Sequence, residues 1–213
     1  MYLDGSFESD RLVTLANDFP DNLQLLDSLS DIEAFISSAY NIAVANYSIE
    51  KDVIASFIKK PQQCDIKLPK KSADHIYASL SDTQKAIVKP YLKIFSLLEK
   101  HFPKATPRLT IKLITDQMCP LFHEDNIQIR LITTLSGPGT QWLADKDVLR
   151  KNLAKGGNKS IIKEGAILRQ LKPMQIAIMK GKKNVTSKGL VHRSPPIDPC
   201  DNNPRLIVRF DLI

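Results

Sequence analysis

From Ala105 to its C-terminus the chain is a succession of short β-branched and apolar runs broken by glycine and proline, and this pattern constrains the fold most. Thr110 to Ile114, Leu121 to Leu135, Ile161 to Leu171, Gln175 to Met179 and Leu206 to Leu212 read as strands. Turn chemistry marks their boundaries: Gly137-Pro138-Gly139, Gly156-Gly157-Asn158, Lys180-Gly181-Lys182 and Ser194-Pro195-Pro196. Short strands spaced in this way predict an antiparallel sandwich or barrel. Asp145 to Lys155 is expected as a short helix between strands.

The first hundred residues read differently. Asp21 to Asn41 carries Leu23, Leu25, Leu26, Leu29, Ile32, Phe35 and Ile36, a spacing that keeps returning to one face, as a helix does. Ser48 is placed to cap a second helix through Ile58. Pro61, Pro69 and a lysine cluster mark a loop from Lys59 to Lys71. A helix or helix pair is expected from Ser72 to His101, split at Pro90 and stopped by Pro103. The expected class is α+β, with a helical region over residues 1–104 buttressing a β domain over residues 105–213.

Charge and composition narrow the function classes. No apolar run approaches the ~20 residues of a bilayer span, so no membrane partner is expected. The acidic start, Met1-Tyr-Leu-Asp-Gly-Ser-Phe-Glu, lacks the basic and apolar regions of a secretory signal, and a cytoplasmic location is the expectation. Cys64, Cys119 and Cys200 are scattered and form no Cys-x-x-Cys pair, which argues against a disulfide framework or a zinc knuckle. Residues 1–100 hold 11 Lys/Arg against 14 Asp/Glu, a net −3, while residues 101–213 hold 19 against 9, a net +10. The second half is thus suited to an anion. A solvated basic surface is the plainer reading, and no aromatic residues interleave with the lysines as a single-strand stacking platform requires.

The stretch Cys119-Pro-Leu-Phe-His-Glu-Asp-Asn-Ile-Gln-Ile-Arg130 carries the most chemistry. On a strand, His123 and Asp125 share a face roughly 6–7 Å apart, close enough to grip one ion. Of the 4 histidines, His192 in Gly189-Leu-Val-His-Arg-Ser-Pro-Pro196 is the best partner. Two histidines and a carboxylate leave coordination positions open, the facial arrangement of non-haem iron oxygenases, whereas structural zinc closes its shell with protein ligands. The plainer reading is a hydrogen-bonded His–Asp pair on a strand. Cys119 is placed as a fourth ligand or, more simply, as a small buried thiol. Trp142 reads as a core anchor or a pocket wall, Arg193 and Ser194 as substrate contacts or turn caps, and His75 and His101 as surface residues.

This order of a His-x-Asp strand, a glycine turn, a further strand, a distal histidine and trailing arginines resembles the iron(II)/2-oxoglutarate dioxygenases, particularly the prolyl-hydroxylase-like branch. The wording of Cys119-Pro…Phe122-His-Glu-Asp125, Gly137-Pro-Gly-Thr-Gln-Trp142 and Val191-His-Arg-Ser-Pro-Pro196 is closer to domain-of-unknown-function family 1826, a bacterial group. The resemblance covers roughly residues 100–213. It implies a double-stranded β-helix (a jelly-roll or cupin-like barrel), a metal on His123, Asp125 and His192 that also serve as catalytic residues, and 2-oxoglutarate as cofactor. The family is often associated with zinc homeostasis genes, which keeps zinc open beside iron(II).

The last strand adds a separate argument. Arg205, Ile207, Arg209 and Asp211 share one face, and Leu206, Val208, Phe210 and Leu212 the other. With the apolar face on the helices, the charged face looks inward, where a buried arginine needs an anion. A dicarboxylate cosubstrate supplies one, with Arg205 as first choice and Arg209 and Arg130 behind it. Arg205 follows His192 at a longer interval than the family's basic residue does.

The leading reading is therefore an oxidoreductase of the iron(II)/2-oxoglutarate-dependent dioxygenase type, with a small molecule or protein as its unidentified substrate. The alternatives are a non-catalytic zinc-binding accessory protein of metal homeostasis on the same barrel, and a basic module binding nucleic acid through residues 146–188.

Overall fold

A computed structural model describes residues 20–46, 49–67, 73–197 and 204–213. Its framework is a seven-stranded sheet in the order β1-β2-β8-β5-β10-β4-β3, and a three-stranded sheet, β7-β6-β9, accompanies it. The strands of the major sheet are β1 (Leu23–Leu25), β2 (Ile42–Ala45), β3 (Cys64–Lys67), β4 (Pro107–Ile114), β5 (Ile129–Ser136), β8 (Ile176–Lys180) and β10 (Arg205–Leu212). The minor sheet is made of β6 (Gln141–Trp142), β7 (Arg169–Gln170) and β9 (His192–Arg193). All pairings are antiparallel except β1 with β2.

The alternation of β10 explains how the layers form. Leu206, Val208, Phe210 and Leu212 are buried among helices α1 (Leu29–Ser37), α4 (Asp82–Val88) and α5 (Leu92–His101), where Phe95 and Phe210 stack with ring centroids 4.3 Å apart. Burying a side chain such as Phe210 contributes about 1.5–3 kcal/mol. The helices start where the sequence provides caps: Ser28 and Asp31 form a reciprocal capping box at α1, and Ser81 and Gln84 form one at α4. On the other face of the major sheet, Ile42, Val44, Ile132, Ala177 and Met179 pack with Trp142, Leu171 and Leu190. That contact covers the β2–β8–β5 half. The charged positions of β10 and β5 lie beyond it, beside the minor sheet.

The structure departs from the sequence reading in several places. Asp21 to Asn41 is not one helix but β1 followed by α1, and β2 and β3 also lie in the first hundred residues. Strands of three or four residues are too short to display a period of two, and pairing with β8 and β4 decides them. The second helix is α2 (Lys51–Lys59), and the stretch Ser72 to His101 is α3 (Ala73–Ala78), α4 and α5, with a 3-10 turn over Lys89–Tyr91 that carries Pro90. The strand expected from Leu121 starts only at Ile129, because residues 121–128 are irregular apart from a bridge at His123. Ile161 to Leu171 holds only β7 as strand, and α6 (Asn158–Ile161) closes just where that strand was expected to begin. Asp145 to Lys155 forms 3-10 turns rather than an α-helix. No closed barrel is formed among the described residues, since the two sheets are separate ladders. The proposed cap Ser48, the helix start at Ser72, Cys200 and the acidic N-terminus lie outside the described residues. Among those described, no helix is long and apolar enough to cross a membrane.

Candidate metal centre

His123 and His192, distant in sequence, are brought together by backbone pairing. The His123 N–H donates to His192 O at 3.0 Å and the His192 N–H donates to His123 O at 3.1 Å, an isolated antiparallel bridge. Residues exchanging both bonds point their side chains to one side. Their rings accordingly sit 4.7 Å apart, tilted by 49°. On its other side His192 pairs with Trp142 of β6, so the minor sheet holds it in place. Asp125 stands two residues beyond His123 and turns to the same place. One ligand atom from each of His123, Asp125 and His192 lies within 4.8 Å of the other two.

The hydrogen bonds determine which nitrogens face the centre. Nδ1 of His123 lies 2.9 Å from Leu121 O and Nδ1 of His192 lies 3.1 Å from Leu190 O. A carbonyl has no proton to give, so each Nδ1–H is the donor and each Nε2 is left for the centre. The Nε2 atoms lie 3.7 Å (His123) and 3.2 Å (His192) from oxygens of Asp125. Burial pushes the Asp125 carboxyl upward, but His192, His123 and Arg130 outweigh it and hold Asp125 well below the usual carboxylate range. His123 is raised, first by its hydrogen bond with Asp125, with burial opposing. Two imidazole nitrogens with their second nitrogens tied to carbonyls, and one ionised carboxylate, are a donor set that fits a divalent cation. Glu124, between the ligands, turns away and pairs with Arg150 at 2.5 Å, tying the ligand segment to the Arg150–Asn152 turn.

The sequence candidates for anion binding occupy distinct positions. Arg130 is buried and saturated, bonded to Asp125 and gripping Asp211 through Nε at 2.6 Å and Nη2 at 3.2 Å. Its burial disfavours the charge, and the two carboxylates more than restore it. Arg209 shares Asp211, 3.1 Å from Nε, and donates to Thr110 Oγ1 at 3.3 Å. Arg205 is 3% exposed and meets no carboxylate of the described residues. Its Nη2 donates to Thr140 Oγ1 at 2.7 Å and Thr134 Oγ1 at 3.4 Å, and its Nε has no partner. Burial pulls its pKa down to about 10. All three arginines line one cleft with His123, His192, Thr140 and Arg193.

Cys119 also lines this cleft but is exposed, which corrects the expectation of a buried thiol; it lies on irregular chain rather than on a strand. The group of three contains no thiolate. Trp142 is buried in the contact between the sheets, with the Arg169 guanidinium 5.6 Å from its ring. His75 and His101 are exposed and remote, and His101 pairs with Glu33 at 3.8 Å. Sequence reasoning overlooked Thr134, Thr140 and the Arg130–Asp211 pair. Thr140 was visible as the end of the Gly-Pro-Gly-Thr turn; Thr134 carried no local signal.

The family described as "Protein of unknown function (DUF1826)" matches residues 29–211, and the chain belongs to that family. A search of curated proteins returned no match. Among solved structures, the chain is similar to the dioxygenase for auxin oxidation 1 from Arabidopsis thaliana, solved with 2-oxoglutarate, at 9% identity and a TM-score of 0.53 over 90% of this chain and 91% of that one. It is also similar to a full-length protein of Neurospora crassa solved with alpha-KG (12% identity, TM-score 0.47, 94% and 88% covered). A Pseudomonas putida prolyl-4-hydroxylase is a further neighbour (8% identity, TM-score 0.47, 86% and 93% covered). The first of these likenesses establishes a mixed helix-and-sheet fold similar to that of a 2-oxoglutarate-binding dioxygenase.

Proposed function

We propose that this member of the DUF1826 family holds iron(II) on His123, Asp125 and His192, binds 2-oxoglutarate on Arg205, and works as an iron(II)/2-oxoglutarate-dependent dioxygenase. In this reading the two sheets are the halves of a double-stranded β-helix, and the N-terminal helices buttress the domain of residues 105–213, to whose major sheet β1, β2 and β3 are added. One observation carries the reading: a His–Asp–His group converges within 4.8 Å, and its two histidines line the same cleft as a buried guanidinium that meets no carboxylate of the described residues. A dianion reaching from the metal to Arg205 supplies that missing charge. The fold likeness to a dioxygenase solved with 2-oxoglutarate supports it. A three-residue group without a thiolate leaves coordination positions open, which favours catalysis over a closed structural zinc site.

The chain's residues divide the work. Leu121 O and Leu190 O orient the imidazoles, and Arg130 holds Asp125 ionised and in place. Thr134 and Thr140 aim the Arg205 fork into the cleft. When bound, the metal supplies a template for the cosubstrate and activates dioxygen.

The test is elemental analysis of protein purified without oxygen or chelator, followed by addition of 2-oxoglutarate. Stoichiometric iron and the visible charge-transfer absorbance of an iron chelate are expected. His123→Ala should lose both while keeping its circular dichroism. Unchanged metal content in that variant would refute the assignment, and metal without a chelate band would leave a binder rather than an oxygenase.

A further inference from the structure

The cleft beside the metal group holds more positive charge than the ligands proposed above can neutralise. Four guanidiniums line it, those of Arg130, Arg193, Arg205 and Arg209. Among the described residues, the carboxylates that meet them are Asp125 and Asp211. A divalent cation adds two positive charges and the dianionic cosubstrate removes two, so over the described residues an excess of two remains. Excess charge of one sign between low-dielectric walls attracts a ligand of the opposite sign.

Two of these arginines stand outside the work already assigned. Arg209 has only a part share in Asp211, whose two oxygens are already gripped by Arg130. Arg193 follows the distal ligand directly and meets no carboxylate of the described residues. Its Nε donates to Gln141 Oε1 at 2.8 Å, and its guanidinium lies over Phe122, 4.7 Å from the ring centroid. A guanidinium fixed by an amide on one edge and an aromatic ring on one face has lost its mobility before any ligand arrives, which lowers the cost of binding one. Ile114, Ile132 and Ile207 supply the apolar part of the wall.

We infer that the substrate of this site is a small acid, its carboxylate or phosphate seated on Arg193 and Arg209 and its carbon skeleton on the isoleucines beside the metal group. This rests on the oxygenase reading above and adds the class of substrate to it.

The experiment is calorimetric titration, without oxygen, of protein loaded with iron(II) and 2-oxoglutarate. The probes are two pairs that differ in charge: glycerol 3-phosphate against glycerol, and hexanoate against hexanamide. The anionic member of at least one pair should bind about tenfold or more tighter than its neutral partner, as expected for charge-assisted hydrogen bonds. The pair with the larger ratio tells phosphate from carboxylate. Arg193→Gln should erase that preference while changing 2-oxoglutarate affinity far less. Equal binding within both pairs, no binding of any probe to the formed chelate, or a preference untouched in Arg193→Gln would overturn the inference and leave the oxygenase reading standing. Failure of the chelate itself to form would overturn both.

Discussion

Arg130 grips Asp211 at two points, Nε to Oδ1 at 2.6 Å and Nη2 to Oδ2 at 3.2 Å, with both side chains buried. The same guanidinium bonds Asp125, so one arginine couples the last strand to the ligand segment. Arg130→Met should leave buried Asp211 with Arg209 alone and part-buried Asp125 with its two histidines, and cost about 3 kcal/mol. Chemical denaturation measures that loss. Arg130→Lys, which keeps the charge but not the two-point grip, should fall between the variant and the parent; a Met variant as stable as the parent would dismiss the coupling.

Arg205 behaves in the opposite sense. It is buried with two threonines for company and no carboxylate of the described residues, so its charge is a burden to the fold. Arg205→Met is expected to leave stability unchanged or raise it, while weakening 2-oxoglutarate binding by about 10- to 100-fold. Parallel melting and equilibrium binding measurements check the two halves separately. Retained affinity in this variant would move the cosubstrate elsewhere.

Gly139 is required by close approach rather than by its dihedral angles. A Cβ there would run into the carbonyl of Leu171, whose own N–H donates to Thr140 O at 2.9 Å. Gly139→Ala should therefore displace Thr140 from Arg205, costing about 1–3 kcal/mol as overpacking does. Its neighbour Gly137 has φ +76°, a left-handed backbone that strains any L side chain. Denaturation midpoints and 2-oxoglutarate affinity should fall together in Gly139→Ala.

Lys180 gives the fold a pH dependence of its own. Its ammonium is buried, donating to Ser38 O at 2.7 Å and Thr186 Oγ1 at 2.8 Å and lying 4.6 Å from the Phe35 ring centroid. Burial lowers its pKa from 10.5 to about 8. The folded state thus sheds this proton before the unfolded state does. The contribution of Lys180 to stability should rise as pH climbs from about 8 towards 10.5, by of order 1–3 kcal/mol, and be flat below that window. Lys180→Met should flatten the rise when denaturation midpoints are compared across the same range.

The chemistry available and the local alternations are legible in the residues alone. His-x-Asp puts an imidazole and a carboxylate on one side of any extended chain. The strict alternation of Arg205 to Leu212 commits one face to the helices and the other to charge, because strand side chains alternate whatever the strand pairs with. Pro90 breaks a helix for equally local reasons. Tertiary structure alone decided the rest. β1, β2 and β3 exist because sheet neighbours complete their hydrogen bonds, a contribution that no window of three or four residues can display. His192 meets His123 only through their backbone bridge. The sequence ranks Arg205 ahead of Arg209 and Arg130 but shows no partner for any of them. What separates them is which guanidinium finds a carboxylate within reach, and that depends on strands distant along the chain whose packing brings those charges close.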